Sequence, residues 1–315
     1  MGWPMPSVSR MDYDHLIDAE TWAFIRDSAQ FDLPDSGGAD ISAQRESYDR
    51  MCRAFFAGYP PGVSARDDHA HSVPIRIYES GPSDATLIYY HGGGFVVGGL
   101  DSHDDICAEL CARTGVRVVS VDYRLAPEHV HPAAFQDAMA AARYVALTWP
   151  GSHILVGDSA GGNLAAAVAH ASRRSIDFLG LVLIYPGLGG DMSCGSYRIH
   201  AHAPMLTLAD VKFYDRIRHD GPGPTDDPTA APLADSDFSN LPPTAIFTAQ
   251  CDPLSDDGRA YRDAILAAGG RAHWTEEPGL VHGYLRARHS VARARDSFDR
   301  IVAATKMIAA GDWQD

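Results

Sequence analysis

Lysine is nearly absent: Lys212 and Lys306 are the only two in 315 residues, and 26 basic against 41 acidic side chains leave a formal net charge of −15. With no basic stripe to neutralise nucleic-acid phosphates or anionic lipid, neither partner is expected, and the acidity reads as solubility. No run of about 18 uncharged apolar residues occurs, so no membrane-crossing helix is expected. The opening MGWPMPSVSRMDYDHLIDAE lacks the charged start and apolar core of a secretory signal, which points to a soluble, cytoplasmic protein. The five cysteines, Cys52, Cys107, Cys111, Cys194 and Cys251, are odd in number and scattered, without a C-x-x-C pair, unlike a disulfide framework or a zinc knuckle. Cys107 and Cys111 fall one helical turn apart, a spacing that suits packing on one helix face. Neither G-x-G-x-x-G nor a P-loop is present, which argues against a nucleotide site, and no cofactor is expected.

What is present is enough apolar residue, 45% of the chain, to bury one large core with an attached subdomain. From about residue 73 short β-branched runs alternate with longer helical ones, the pattern of a doubly wound α/β fold with a mostly parallel sheet. Strands are expected at 73–79, 85–90, 116–121, 153–157, 179–185, 244–249 and 271–276. Helices are expected around 103–114, 135–148, 160–173, 256–268 and 288–308. Two regions fall outside the alternation. The first 60 residues carry helical runs at 12–29 and 42–57 around the breaker LPDSGGAD, and 187–240 carries TLADVKFYDRIR followed by GPGPTDDP. An insertion at the C-terminal edge of a parallel sheet sits where such folds bind ligands, so a helical cap is expected. The organisation is then 1–60 cap region, 61–186 core, 187–240 cap insertion and 241–315 core.

Gly157-Asp158-Ser159-Ala160-Gly161 matches G-x-S-x-G, with strand HILVG running in and helix NLAAAVAHASRR running out. A serine on so abrupt a turn adopts a strained backbone that presents its hydroxyl, and its neighbours two residues away must be small. His91-Gly92-Gly93-Gly94-Phe95 follows the strand ATLIYY, where a polyglycine turn frees backbone N–H groups to face a reacting carbonyl oxygen, joined by that of Ala160. The hydroxyl needs a base, and the base needs a carboxylate to hold its tautomer. Of fifteen histidines, His282 lies after the last expected strand and follows serine and acid in the order of this fold. His170 and His289 fall in expected helices, and His69, His71, His200 and His202 read as surface residues, because their H-x-H pairs have no third ligand to make a metal site. Asp252 stands at the strand end suited to the carboxylate, while Asp256 and Asp257 read as charges favourable at a helix N-terminus.

HGGGF, DYRLAPEH, GDSAGG, DPLSDDG and HGY, in this order, resemble the hormone-sensitive-lipase family of bacterial esterases over nearly the whole core. The resemblance implies a triad of Ser159, Asp252 and His282, an oxyanion hole from the backbones of Gly93, Gly94 and Ala160, and cofactor-free hydrolysis of small-molecule, short-acyl esters. It also implies that Asp122, Tyr123, Arg124 and Glu128 buttress the site. The chain departs from the family at Val130-His131-Pro132 and at Tyr284, where phenylalanine is frequent; neither position belongs to the triad. Plant relatives that bind a hormone lack the catalytic histidine, so His282 counts against a receptor. Amides, lactones and acyl acceptors other than water remain open alternatives, as does a homodimer.

Overall fold

The computed structural model describes residues 11–33, 40–224 and 226–313. Among the described residues eight strands form one sheet: β1 (Ser64–Ala70), β2 (Val73–Glu79), β3 (Ala85–Tyr90), β4 (Arg117–Val121), β5 (Ser152–Asp158), β6 (Gly180–Ile184), β7 (Thr244–Cys251) and β8 (Ala272–Val281). Their order is β1-β2-β4-β3-β5-β6-β7-β8, parallel from β4 onward, with β2 antiparallel to both neighbours.

The central strands are apolar throughout because both faces are covered. Side chains alternate across a strand, so Leu87, Tyr89, Ile154, Val156, Val182 and Ile184 enter one core. Ile88, Tyr90, Leu155, Leu181 and Leu183 enter the other. The first core is closed by α3 (Asp104–Thr114) and α9 (Ala292–Ala309), the second by α4 (Ala133–Thr148), α5 (Ala160–Ser172) and α8 (Ser255–Ala267). Cys107 and Cys111 both pack in the first core as expected from their spacing, whereas Cys194 is exposed. Each fully buried Leu, Ile or Val contributes roughly 1.5–3 kcal/mol.

Strand β1 was not expected, and its burial explains why: SARDDHA is an edge strand, exposed along most of its length and charged, which blunts the edge. It turns into β2 through His71 and Ser72, with His71 at φ 57°. β8 runs five residues beyond its expected end, to Val281, and so delivers His282 directly from a strand end.

The N-terminal region forms α1 (Ala19–Ala29) and α2 (Ile41–Phe55), and the insertion forms α6 (Gly195–Ile199) and α7 (Leu208–His219). Most of the breaker LPDSGGAD and one residue of GPGPTDDP lie outside the described residues. Only part of the first 60 residues covers the sheet ends: Tyr13, Ile17 and Phe24 are members of the first core itself. α2 and α7 meet over the loops that follow β3 and β4, where Ile41, Tyr48, Tyr214 and Ile217 pack on Val96, Val97 and Ala126. Leu208 and Val211 pack instead on Tyr197, Leu206 and Leu254. Among the described residues no helix is long and apolar enough to cross a membrane.

Candidate active site

Three strand ends converge on one point. β5 passes into α5 through Ser159, whose backbone sits at φ 53°, ψ −117°, a conformation that non-glycine residues adopt only under constraint. The turn is tight enough that a Cβ at Gly157 would stand 2.2 Å from the carbonyl oxygen of Gly161, and one at Gly161 1.8 Å from that of Tyr90. Ser159 Oγ lies 2.8 Å from Nε2 of His282, just past β8. His282 Nδ1 lies 2.7 Å from Oδ2 of Asp252, just past β7. A carboxylate only accepts, so Nδ1 carries the proton and Nε2 is left to accept from the serine hydroxyl. Asp252 is fully buried, and its other oxygen accepts the N–H of Leu254 (2.9 Å).

The glycine loop after β3 lies against the same serine. Gly93 and Gly94 hold φ of 129° and 60°. A Cβ at Gly93 would meet the carbonyl oxygen of Val97 at 2.1 Å, and one at Gly94 the Tyr214 ring at 2.5 Å, so both positions need glycine. The N–H of Gly92 is committed to Asp158 Oδ1 (2.9 Å), which also accepts from the Tyr89 hydroxyl (2.8 Å). His103 Nε2 stands 3.3 Å from the other oxygen of Asp158. Burial alone would raise the Asp158 pKa, but His103, Tyr89 and Arg286 outweigh it and hold the carboxyl below the usual range. Asp158 thus ties the glycine loop to the serine turn, a role that its place inside GDSAGG could have suggested. His91 stacks on Tyr123, with centroids 4.3 Å apart, and burial pulls its pKa down to about 3.

Two cavities meet at Ser159. One of about 530 Å³ runs under α7 between Phe95, Met192, Leu206, Val211 and Leu233. The other, of about 550 Å³, runs past His282 towards Ile25, Met51, Met205 and Arg286. Arg286 donates to the Tyr48 hydroxyl (2.7 Å) and to Ser102 O (2.9 Å), linking α2 to the histidine loop.

Several expected roles are altered. Glu128 is half exposed and acts through Arg45 of α2, with which it pairs at 2.7 Å and which donates to Val96 O and Ala126 O. Arg124 pairs with Asp137 at 2.8 Å, and Tyr123 supports the loop after β3 by donating to His91 O (2.6 Å). Asp256 and Asp257 do more than favour a helix start. Asp257 is buried and accepts from Leu188 N (2.7 Å), Gly190 N (3.3 Å) and Tyr197 Oη (3.0 Å), while Asp256 accepts from Ser196 N (2.8 Å). Both fasten the insertion to α8. His200 is buried beside the Tyr13 hydroxyl (3.2 Å) rather than on the surface, because the first core extends under it. His289 lies in a turn ahead of α9, not in the helix.

Residues 87–286 match the model of a family described by its alpha/beta hydrolase fold. The chain is 38% identical over 253 residues to carboxylesterase NlhH of Mycobacterium tuberculosis, covering 76% of this chain and 79% of that protein. It is 34% identical over 256 residues to ethyl acetate hydrolase of Pseudomonas putida, covering 77% and 80%. A hyperthermophilic esterase from Pyrobaculum calidifontis superposes with a TM-score of 0.85 at 31% identity, over 93% of this chain and 99% of that one. The chain belongs to the α/β-hydrolase family, in the hormone-sensitive-lipase-like group that its motifs resemble.

Proposed function

We propose that this chain is a serine carboxylesterase for short acyl chains, with Ser159, His282 and Asp252 as its triad. The observation that carries the reading is the unbroken hydrogen-bonded chain from serine hydroxyl through imidazole to a buried carboxylate. His282 Nε2 takes the Ser159 proton as Oγ attacks the ester carbonyl, and the tetrahedral oxyanion rests on the N–H groups of Gly93, Gly94 and Ala160. The commitment of the Gly92 N–H to Asp158 supports donors further along the loop. The intermediate collapses to the acyl-enzyme as the imidazolium returns its proton to the departing alcohol. Water, deprotonated by the same nitrogen, then releases the acid and restores Ser159, while Asp252 stabilises each imidazolium.

In this reading the helical parts of 1–60 and 187–240 cap the core segments 61–186 and 241–315. Leu208, Val211, Tyr214 and Ile217 of α7 are spent on anchoring, on Val96, Val97 and Ala126 and on Tyr197, Leu206 and Leu254, which leaves little besides Phe213 to face a lipid surface. The test is kcat/KM for p-nitrophenyl esters from acetate to palmitate, with Ser159→Ala as blank. Each methylene that fits contributes up to about 0.8 kcal/mol, so the rate should rise a few-fold per carbon, peak at roughly two to six carbons and fall. The blank should lose nearly all activity. A maximum at about twelve carbons or longer would refute the short-chain reading, and an active blank the assignment of Ser159.

A further inference from the structure

The cavity under α7 contains a charge that the reaction above leaves unused. Arg218 is 6% exposed, and its guanidinium lies 3.6 Å from the centroid of the Phe95 ring. Its hydrogen bonds go to neutral oxygens: Nη1 donates to Ala230 O (3.0 Å), and Nη2 to Asn163 Oδ1 (3.3 Å) and, at the limit, Thr229 O (3.5 Å). Among the described residues Arg218 forms no ion pair, and its Nε has no partner. Burial pulls its pKa down to about 10, against the more distant charges of Asp215 and Asp227. The next residue repeats the pattern. His219 Nδ1 is engaged by Asp215, at 2.8 Å from the carbonyl and 3.2 Å from Oδ1, while its buried Nε2 has no partner among the described residues.

Both side chains line the cavity that opens on Ser159, and the remaining wall is largely apolar. The two carboxylates in that wall are occupied, Asp215 with His219, and Asp191 with the N–H of Ser193 (2.8 Å) and the Cys194 thiol (3.5 Å). A desolvated cation is costly unless an anion meets it, and a guanidinium fork matches a carboxylate. We propose that Arg218 recognises a carboxylate carried by the substrate, so that the preferred esters bear a free acid group: a hemiester of a dicarboxylic acid, or an acylated hydroxy acid. The proposal rests on the esterase reading. It adds a substrate class to that reading and makes Arg218 a specificity-determining residue.

Two substrate pairs test it and tell which half of the ester enters this cavity. Monoethyl glutarate against ethyl pentanoate places the charge on the acyl side, and 4-acetoxybutanoate against butyl acetate places it on the alcohol side, all followed by pH-stat titration. In one pair the unaltered enzyme should turn over the anionic member with a kcat/KM at least equal to that of the neutral one, despite its net charge of −15. Arg218→Gln should lower that anionic-to-neutral ratio at least about tenfold, and Arg218→Lys, which keeps the charge, by less. A smaller fall in Arg218→Gln overturns the proposal and leaves the arginine as a structural tie. If Arg218→Gln does not fold, the unaltered enzyme decides, because a preference for the neutral member in both pairs overturns the proposal. Failure to hydrolyse all four esters would refute the esterase reading itself, and this proposal with it.

Discussion

Beneath Ser159 the structure rests on apolar alternation across both faces of a parallel sheet. Above it, the covering segments add two small apolar clusters to the side chains they send into the sheet cores, and a few polar fasteners: Arg45 to Glu128, Asp257 to the 188–190 backbone, and Arg218 to Asn163. The first arrangement fixes atoms to within a hydrogen bond and tolerates little change. The second can vary its side chains while the serine, histidine and carboxylate stay put. On the proposed reading, chemistry and selectivity fall to different parts of the chain, which makes them separable by mutation.

The largest effect should come from the strand ends. Asp252→Asn preserves shape but removes the charge and the acceptor that fix the His282 tautomer, and should lower kcat by about 10³ to 10⁴ with the thermal midpoint little changed. A loss below about tenfold would mean that the carboxylate has been misassigned.

Next comes the fastener Asp257. Burial pushes its pKa up to about 6 against the ordinary 3.8, so the folded protein holds this proton more tightly than the unfolded chain. Its contribution to stability is fully present below about 4, falls by up to about 1.4 kcal/mol per pH unit as pH rises, and is gone above about 6. The destabilisation caused by Asp257→Asn, read from urea midpoints, should shrink over that window and then level off. A pH-independent difference would break the comparison at this point.

The smallest effects separate the two halves of one ion pair. Arg45 also donates to Val96 O (2.8 Å) and Ala126 O (2.9 Å), so Arg45→Ala should cost about 1–3 kcal/mol. The half-exposed Glu128 has no such second task in the cover, and Glu128→Gln should cost less than about 1 kcal/mol. Equal losses would show that the cover depends on the ion pair rather than on the arginine's grip on the two loops.

The same division governs what could be read from the sequence. Strands buried on both faces announce themselves as apolar runs, and β3, β4, β5 and β6 fall within a residue of their expected ends. Of the three side chains proposed to react, Ser159 and Asp252 could be picked out because each follows such a run, and His282 because it follows them in chain order. β1 escaped because an exposed, charged edge strand carries no apolar period, and α6 because five residues are too few to show one. The parts played by Glu128, Asp257 and Arg218 were hidden for a different reason. Each depends on partners many positions away, and no local pattern records which carbonyl or carboxylate a buried charge will meet. Arg218 even reads as an ordinary polar face residue of TLADVKFYDRIR until the fold turns it inward against Phe95.

Of the five thiols, four are sealed in the interior and Cys194 alone is exposed, at the start of α6 in the covering insertion. The molecule therefore carries a built-in attachment point for a thiol-reactive dye, on the segment whose displacement an observer would want to follow and away from the sheet. Asp191 holds the Cys194 thiol protonated beyond its ordinary range, so mildly alkaline solution should favour coupling. A single fluorophore there would report whether the insertion shifts as ester enters, with no residue of the protein replaced.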